Sequence, residues 1–176
     1  MDYSEKTIKE EVIFKGRVID VVVQDVEVFN GNVAKREIIR HPGGVAVLAF
    51  TDSNKILFVE QYRKPLDKHL IELPAGKLEK GEDPKECGMR ELEEETGYKS
   101  ENFTYLGKIV SSPGFCDEYI YLYKAENLIK GSRGGDEDEF INLKEFSLEE
   151  VKNKIKKGEI IDGKTLAALL HYFLNF

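Results

Sequence analysis

A chain of 176 residues with 41% hydrophobic and 34% charged residues is long enough for one globular domain with a core. Its formal net charge of -7 argues against a nucleic-acid backbone or an anionic membrane as a general partner. A nucleotide is not excluded, because a metal ion and local cations can screen its phosphates. The two cysteines, Cys87 and Cys116, are too few for a disulfide scaffold. The N-terminus is polar and no apolar run reaches membrane-spanning length, so we expect a soluble protein of the reducing cytoplasm.

The N-terminal part of the chain predicts an arm followed by a β-hairpin. Residues 1–16 are expected to form a short strand or an arm, and residues 17–29 are rich in β-branched side chains, which is typical of a strand. Asn30-Gly31 predicts a hairpin turn with positive φ, and residues 33–40 return as the partner strand. The hairpin can pack on its own domain or lie across a second subunit, and its sequence favours neither.

The rest of the chain alternates apolar runs with turn signals, and three segments carry helix caps. The apolar runs predict strands at residues 45–50, 56–62, 70–74, 103–111, 118–125 and 140–146. The caps predict helices that begin near Asp83, Ser147 and Asp162. Gly97 and Gly158 are expected to end the first two helices. Strands outnumber the helices that flank them, which predicts an α+β fold with a mixed sheet between helices.

The first predicted helix carries an acidic cluster on which the functional interpretation depends. Glu91, Glu94 and Glu95 are spaced i, i+3 and i+4, which places three carboxylates on one face of a helix. Their repulsion would cost about 0.2–0.5 kcal/mol per pair unless a cation compensates it. A hard divalent cation such as Mg²⁺ binds oxygen ligands and bridges to substrate phosphates. A solvated acidic helix face is the alternative, but it does not explain the neighbouring glycines and arginine.

This helix and the loop before it resemble the Nudix box, G-x5-E-x7-R-E-U-x-E-E-x-G-U, in which U is aliphatic or aromatic. Every specified position is filled at the right spacing, by Gly76, Glu82, Arg90, Glu91, Leu92, Glu94, Glu95, Gly97 and Tyr98. The resemblance implies the α/β/α sandwich of that family, with a mixed sheet and here an N-terminal β-hairpin extension. It also implies hydrolysis of a nucleoside diphosphate linked to another group. On this interpretation residues 41–176 are the Nudix hydrolase domain, and residues 1–40 serve dimerisation or substrate binding.

Segments outside the box resemble the ADP-ribose pyrophosphatase branch of the family. They are residues 60–63, 73–76, 112–114 and 136–140, and the resemblance extends from about Gly16 to the C-terminal helix, which is almost the whole chain. It implies hydrolysis of ADP-ribose to AMP and ribose 5-phosphate, with Mg²⁺ or Mn²⁺, by a cytoplasmic homodimer. Two alternatives stay open. One is a Nudix hydrolase of another nucleoside diphosphate derivative or of an oxidised nucleotide, and the other is a non-catalytic Nudix domain that binds a nucleotide as a sensor.

The chemistry of a pyrophosphate assigns roles within the box. Its hydrolysis needs charge neutralisation, an in-line nucleophile and a stabilised leaving group, and divalent cations can supply all three. Glu91 and Glu95, one helical turn apart, are the first choice as metal ligands, and Glu94 is the next. The resemblance adds the backbone carbonyl of Ala75 as a further ligand. Glu95 is therefore counted among the catalytic residues as well.

Other residues near the metal ligands receive supporting roles. Gly76, Glu82 and Arg90 are expected to be structural, with Arg90 holding the loop against the helix through a bidentate carboxylate pair. In the family this arginine orients a metal-binding glutamate. The resemblance places the general base on a glycine-rich loop before the last strand, where Glu139 is the first choice and Glu137 the second. A solvated acidic loop is the alternative.

Substrate-binding candidates lie outside the box. Arg63 ends a strand and suits a phosphate, and the resemblance suggests that Arg36 reaches the substrate from the N-terminal strands. Pro113 and Gly114 form a loop, and Glu118 just beyond it suits a ribose hydroxyl or a metal ion. The alternatives are surface ion pairs for the arginines, an ordinary turn for the loop and a structural role for the glutamate. Three aromatic side chains are candidates for stacking on adenine: Phe29, Tyr62 and Phe115.

Overall fold

The computed structural model describes residues 2–132 and 140–175. Contacts divide the chain into two compact units. The first comprises the residues up to Gly43 together with Val110–Tyr119, and the second comprises Gly44–Ile109 and the residues from Ile120 onward. None of the helices in the described residues combines the length and the hydropathy needed to cross a bilayer.

The first unit is built on a three-stranded antiparallel sheet. Its strands are β1 (Lys6–Lys15), β2 (Asp20–Glu27) and β3 (Val33–Arg40), in the order β1-β2-β3. The predicted hairpin is confirmed, and Gly31 in its turn has a φ of 81°, which favours glycine. The segment before the hairpin forms a strand of 10 residues rather than a short one, and all of them are exposed. The buried side chains come from β2, where Val22 and Val26 are almost fully buried.

The loop that follows Val110 in the chain is tied to the end of β3 in this unit. The N–H of Ile39 donates to the carbonyl of Phe115 at 2.7 Å, and the N–H of Asp117 donates to the carbonyl of Ile39 at 3.1 Å. Nη1 of Arg40 donates to the Asp117 carboxylate at 3.1 Å. The segment that contains Pro113 is therefore held by β3.

The second unit contains nine strands, three α-helices and a short 3-10 helix at Lys64–Leu66 within the described residues. The strands are β4 (Gly44–Ala49), β5 (Ile56–Arg63), β6 (Lys68–Glu72), β7 (Ala75–Lys77), β8 (Tyr98–Lys99), β9 (Asn102–Val110), β10 (Tyr119–Glu126), β11 (Ile129–Lys130) and β12 (Asn142–Phe146). The helices are α1 (Pro84–Thr96), α2 (Leu148–Lys156) and α3 (Gly163–Asn175). A sheet of order β7-β4-β10-β9 combines a parallel β4–β10 pair with an antiparallel β4–β7 pair, so the predicted mixed sheet is confirmed. Sheets of order β12-β5-β6 and β11-β8 complete the unit.

Helices pack on both faces of β4, whose six residues are all buried. Val45 and Val47 belong to a core cluster that includes Leu92 of α1. Ala46 and Leu48 point to the opposite face and join a second cluster with residues of α2 and α3. This alternation follows from the two-residue period of a strand, and a continuous apolar run is what a strand buried on both faces requires. The predicted α+β fold, with a sheet between helices, is confirmed.

Some strands differ from those that the local sequence predicted. The strand predicted at residues 70–74 is β6, which lies two residues earlier, at Lys68–Glu72. The short strands β7, β8 and β11 were not predicted. Each has only two or three residues, and its pairing depends on tertiary contacts rather than on a local pattern. The predicted roles of residues 1–40 in dimerisation and substrate binding stay predictions.

Candidate active site

Helix α1 begins and ends as its sequence predicts. The Asp83 side chain caps it by accepting hydrogen bonds from the N–H groups of Lys85 and Glu86, at 2.8 and 3.4 Å. Pro84 occupies the first helical position, where its missing N–H costs nothing. Gly97 ends the helix at a φ of 69°. These caps fix the register of the helix and so determine which of its side chains share a face.

Arg90 binds three carboxylates on and before α1. Its Nε and Nη2 donate to the two oxygens of Glu82, at 2.9 and 3.1 Å, which makes a bidentate pair. Its Nη1 donates to Glu91 at 2.7 Å and to Glu94 at 3.0 Å. All four side chains are largely buried. The guanidinium therefore ties the loop to the helix and offsets the repulsion within the acidic cluster.

Charges and burial around this cluster shift the pKa values of its members. The hydrogen bonds from Arg90 lower the pKa of Glu82 to about 2, and they raise the pKa of Arg90 itself. Burial raises the pKa of the neighbouring Cys87 thiol to about 12. Glu82 is therefore an anion at any ordinary pH, and Cys87 is a packed thiol rather than a nucleophile.

The depressed pKa of Glu82 predicts a specific dependence of stability on pH. Because the pKa in the folded protein lies below the ordinary value of 4.5, the Glu82–Arg90 pair stabilises the fold above pH 4.5 and loses this effect as the pH falls toward 2. We expect Glu82→Gln to lower the melting temperature near neutral pH, and the difference from wild type to shrink as the pH falls from about 4.5 toward 2. Thermal unfolding across this range measures it. Glu86→Gln, an exposed change on the same helix, is the control, and a difference independent of pH would contradict the prediction.

The strand that precedes α1 packs closely against its carboxylates. The N–H of Ala75 donates to Oε2 of Glu95 at 2.9 Å. A Cβ atom on Gly76 would overlap the carboxyl group of Glu91, so only glycine allows this approach of backbone to side chain. A pocket of about 240 Å³ opens here, lined by Ala75, Gly76, Lys77, Glu79, Arg90, Glu91 and Glu94. Most of its walls are therefore residues of the predicted box.

The predicted metal ligands are engaged with partners inside the protein. Within residues 2–132 and 140–175, no three His, Cys, Asp or Glu side chains are gathered closely enough to hold a metal ion. Arg90 contacts Glu91 and Glu94, while Glu95 accepts the N–H of Ala75. Their chemistry nevertheless fits a hard divalent cation, since they offer carboxylate oxygens and two of them face the pocket. The ligand roles of these glutamates and of the Ala75 carbonyl stay predictions.

Arg63, the predicted phosphate ligand, pairs with a buried glutamate. Its Nε and Nη2 donate to the two carboxylate oxygens of Glu72, at 2.7 and 2.6 Å. The hydrogen bond to Glu72, together with the charges of Glu95 and Asp162, raises the pKa of Arg63. The Arg63 side chain remains 39% exposed, whereas that of Glu72 is 1% exposed. The arginine thus lies within electrostatic reach of the box, and its contact with substrate stays a prediction.

The other predicted substrate ligands lie in the first unit. Arg36 binds Glu5 through two nitrogens, with Nε at 2.9 Å, so its side chain is engaged on the sheet surface. Pro113 and Gly114 are exposed in the loop held by β3. Oε1 of Glu118 lies 3.3 Å from Nδ1 of His41. The roles of Arg36, Pro113, Gly114 and Glu118 toward a substrate stay predictions.

The two predicted general bases, Glu137 and Glu139, lie outside the described residues. The described chain just before them is fixed by the box helix. The N–H of Ser132 donates to Oε1 of Glu93 at 2.7 Å, and the N–H of Gly131 donates to the carbonyl of Gly97 at 2.8 Å. Glu93 occupies an unspecified position of the box, so the motif gave no reason to single it out.

A second group that sequence analysis missed surrounds Glu72. The first turn of α3 supplies Lys164, whose Nζ donates to Glu72, and Thr165, whose Oγ1 accepts the N–H of Leu73 at 2.9 Å. The segment from Asp162 to Thr165 predicted only a helix start. The available signal was a charged residue, Glu72, inside an otherwise apolar strand, because a buried charge requires a partner.

Comparisons with known proteins identify the family of the chain. The NUDIX domain model matches residues 40–169. The chain is 56% identical over 175 residues to the methanol dehydrogenase activator of Bacillus methanolicus, covering 98% of this chain and 95% of that protein. It is 50% identical over 173 residues to the ADP-ribose pyrophosphatase of Bacillus subtilis (strain 168), covering 97% and 94%.

A solved structure shows the same fold. The crystal structure of an ADP compounds hydrolase superposes with a TM-score of 0.86 at 20% identity, covering 97% of this chain and 92% of that one. The family model and the Bacillus subtilis relative confirm the resemblance that was inferred from the box residues. The chain belongs to the Nudix hydrolase family.

Proposed function

We propose that the chain is an ADP-ribose pyrophosphatase, which hydrolyses ADP-ribose to AMP and ribose 5-phosphate. The observation that carries the proposal is the pocket at Gly76, where Glu91 and Glu94 meet the strand that enters the box. The 50% identity to an enzyme of that name, over almost the whole of both chains, supports the choice of substrate. Nudix hydrolases generally use divalent metals such as Mg²⁺, and a pyrophosphate substrate brings anionic oxygens that such an ion can bridge.

In this proposal each box residue acts on the metal or on its neighbours. Glu91, Glu94, Glu95 and the carbonyl of Ala75 would hold Mg²⁺, for which Mn²⁺ is the expected substitute. When bound, such an ion would supply charge neutralisation for the phosphates and activation of a water molecule. Arg90 orients Glu91 and Glu94 through the hydrogen bonds described above. Outside the box, Arg63, Arg36, Pro113, Gly114 and Glu118 are the proposed substrate ligands.

A substrate panel tests the proposed function. Purified protein is incubated with Mg²⁺ or with EDTA and with ADP-ribose, a nucleotide sugar, a dinucleotide or an oxidised nucleoside triphosphate. We expect ADP-ribose to be cleaved fastest, with AMP and ribose 5-phosphate as products and no activity in EDTA. Activity confined to nucleoside triphosphates would contradict the proposal. Tight nucleotide binding without turnover of any substrate would indicate a sensor instead.

The proposed general base can be tested by matched substitutions in the 130–139 segment. We expect Glu139→Gln to lower turnover at least about 100-fold, the range given for a positioned acid or base, while the Mg²⁺ dependence stays as in wild type. The measurement is steady-state hydrolysis of ADP-ribose at several Mg²⁺ concentrations. Glu137→Gln is the control, since it makes the same change in the same segment. If only Glu137→Gln lowers turnover, the base lies two positions earlier.

A second candidate function rests on the relative named a methanol dehydrogenase activator, which is 56% identical over 98% of this chain. The chain would then activate a dehydrogenase. Activation would either depend on hydrolysis at its site or result from binding without hydrolysis. The rate of a methanol dehydrogenase is measured with and without the protein, and with its Glu95→Gln variant. Acceleration by wild type alone would tie activation to hydrolysis, whereas acceleration by both would indicate a binding function.

We also propose a cytoplasmic homodimer. Strand β1 is an edge strand of the first sheet, and its apolar residues Ile8, Val12 and Phe14 are each more than half exposed. An exposed apolar edge of this kind favours pairing with a second chain. Cys87 and Cys116 are free thiols, as expected in a reducing compartment. Analytical ultracentrifugation tests the dimer, and a monomer at micromolar concentration would contradict it.

A further inference from the structure

Glu72 is a buried carboxylate in the second unit, close to the segment that enters the box. Its side chain is 1% exposed, and it ends β6 only three residues before Ala75 and four before Gly76. Burial alone would raise the pKa of this carboxyl, but Arg63 and Lys164 outweigh that effect and hold the pKa below its ordinary value. An ionised carboxylate in such surroundings is tolerated only when cations and hydrogen bonds compensate its lost hydration.

The compensating cations come from two different elements. Arg63, at the end of β5, covers both oxygens of Glu72. Lys164, in the first turn of α3, donates to Oε2 as well, and its Nζ lies 3.1 Å from Oδ1 of Asp162. The Lys164 side chain is 14% exposed, so it is part of the interior rather than a solvated surface lysine. Glu72 is thus shared between Arg63 and Lys164.

The same turn of α3 also holds the backbone next to Glu72. Oγ1 of Thr165 accepts the N–H of Leu73 at 2.9 Å and donates to Asp162 at 2.6 Å. Thr165 and Leu73 are both fully buried. Two residues further on, Ala75 donates its N–H to Glu95 of the box. A continuous set of contacts therefore runs from the first turn of α3, through the segment that enters the box, to a proposed metal ligand.

Arg63 keeps a hydrogen-bonding group that this arrangement does not use. Its Nε and Nη2 are taken by Glu72, and no partner for Nη1 occurs among the residues that the structure describes. A guanidinium that pairs alone with one carboxylate attracts a phosphate weakly, because the carboxylate cancels its charge. If a second cation binds the same carboxylate, the guanidinium attracts the phosphate more strongly. Lys164 is that second cation.

We propose that Lys164 is a positioning residue for substrate binding. Arg63 and Lys164 together balance the two carboxylates of Glu72 and Asp162, so loss of Lys164 would leave this group with one net negative charge and would weaken the attraction of Arg63 for a substrate phosphate. This inference rests on the proposed function in one respect, namely that Arg63 faces a phosphate of the substrate. Lys164 itself touches no substrate, and its effect on binding passes through Glu72 and Arg63.

Kinetics of Lys164→Met test the proposal, with a binding assay alongside. We expect KM for ADP-ribose to rise about tenfold, the scale of one hydrogen bond between charged groups, with kcat little changed. The dissociation constant of inorganic pyrophosphate with Mg²⁺, measured by calorimetry, should rise by a similar factor. Lys164→Arg should restore both, since it keeps the charge. Lys156→Met, an exposed change on α2, is the control and should leave both at wild-type values.

A double variant distinguishes an effect of Lys164 on binding through Arg63 from a merely structural role of Lys164. If Lys164 acts through Arg63, Lys164→Gln should raise KM and the pyrophosphate constant no further when Arg63→Gln is already present, and the two amides still offer hydrogen-bond donors to the buried Glu72. A tenfold rise in that background, or wild-type values in a folded single variant, would overturn the proposal. Should the methionine variant not fold, Lys164→Gln keeps a donor without the charge and serves for the same comparison. Failure of the wild type to hydrolyse ADP-ribose would instead contradict the proposed function, while the pyrophosphate constants would still decide the role of Lys164.

Discussion

Glu95→Gln is expected to lower kcat for ADP-ribose at least about 100-fold, because it removes one charged oxygen ligand from the proposed metal site. The fold should survive. The amide has the length of the carboxylate, and its oxygen can still accept the N–H of Ala75, which Glu95 accepts at 2.9 Å. The measurements are steady-state turnover, the Mg²⁺ concentration for half-maximal rate, and the melting temperature. We expect the first to fall, the second to rise and the third to change little.

Glu86→Gln is the matched control for this substitution. It removes the same charge from the same helix, but Glu86 is exposed in the first turn of α1 and does not line the pocket. It should leave turnover and Mg²⁺ dependence at wild-type values. If Glu95→Gln also left both unchanged, Glu95 would not be a ligand, and the proposed site would reduce to Glu91, Glu94 and the strand beside them.

The box could be predicted from sequence because its structure is local. The caps at Asp83 and Gly97 lie within one helix length of each other, and the spacing of the carboxylates is read directly as a helical face. The expected bidentate pair between Arg90 and Glu82 spans eight residues and is present. Such contacts follow from one element and the loop that enters it.

The surroundings of the box could not be predicted in this way, because their contacts join distant parts of the chain. Lys164 and Glu72 are 92 residues apart, and so are Thr165 and Leu73. Arg40 and Asp117 are 77 residues apart. Nothing in the local pattern around Arg63 shows that a buried glutamate takes two of its nitrogens. Periodicity predicts that a strand is buried, but the partner of a charge inside it depends on the topology.

The functional consequence is that the site has two kinds of support. Arg90 organises the carboxylates from within the box, whereas the first turn of α3 holds the segment that enters the box from outside. Substitutions of Arg90 and the box carboxylates should alter metal dependence. Substitutions in the first turn of α3 should alter substrate affinity. The kinetic constants of the variants therefore show which contacts affect metal dependence and which affect substrate affinity.

Gly76→Ala is expected to lower turnover about 100-fold or more. The reason is steric, and no other glycine of the box has the same close contact with Glu91. A Cβ atom on residue 76 would overlap the carboxyl group of Glu91, so either that side chain or the strand must move by about an ångström. Displacement of this size at a reacting centre costs about that factor in rate. Because Glu91 is bound by Arg90, its displacement would also disturb the pair at 2.7 Å. The overpacking should cost about 1–3 kcal/mol of folding free energy, which leaves the protein folded at room temperature.

Gly163→Ala is the steric control, since a Cβ atom there meets nothing within 4 Å and the backbone has no left-handed φ. It should leave turnover and Mg²⁺ dependence at wild-type values. In Gly76→Ala we expect kcat to fall and the Mg²⁺ concentration for half-maximal rate to rise together, because the displaced group is a proposed ligand. A fall in kcat with unchanged Mg²⁺ dependence would indicate that Glu91 serves to hold Arg90 rather than the metal. Normal turnover in a folded variant would show that the close contact between Gly76 and Glu91 is not required for the reaction.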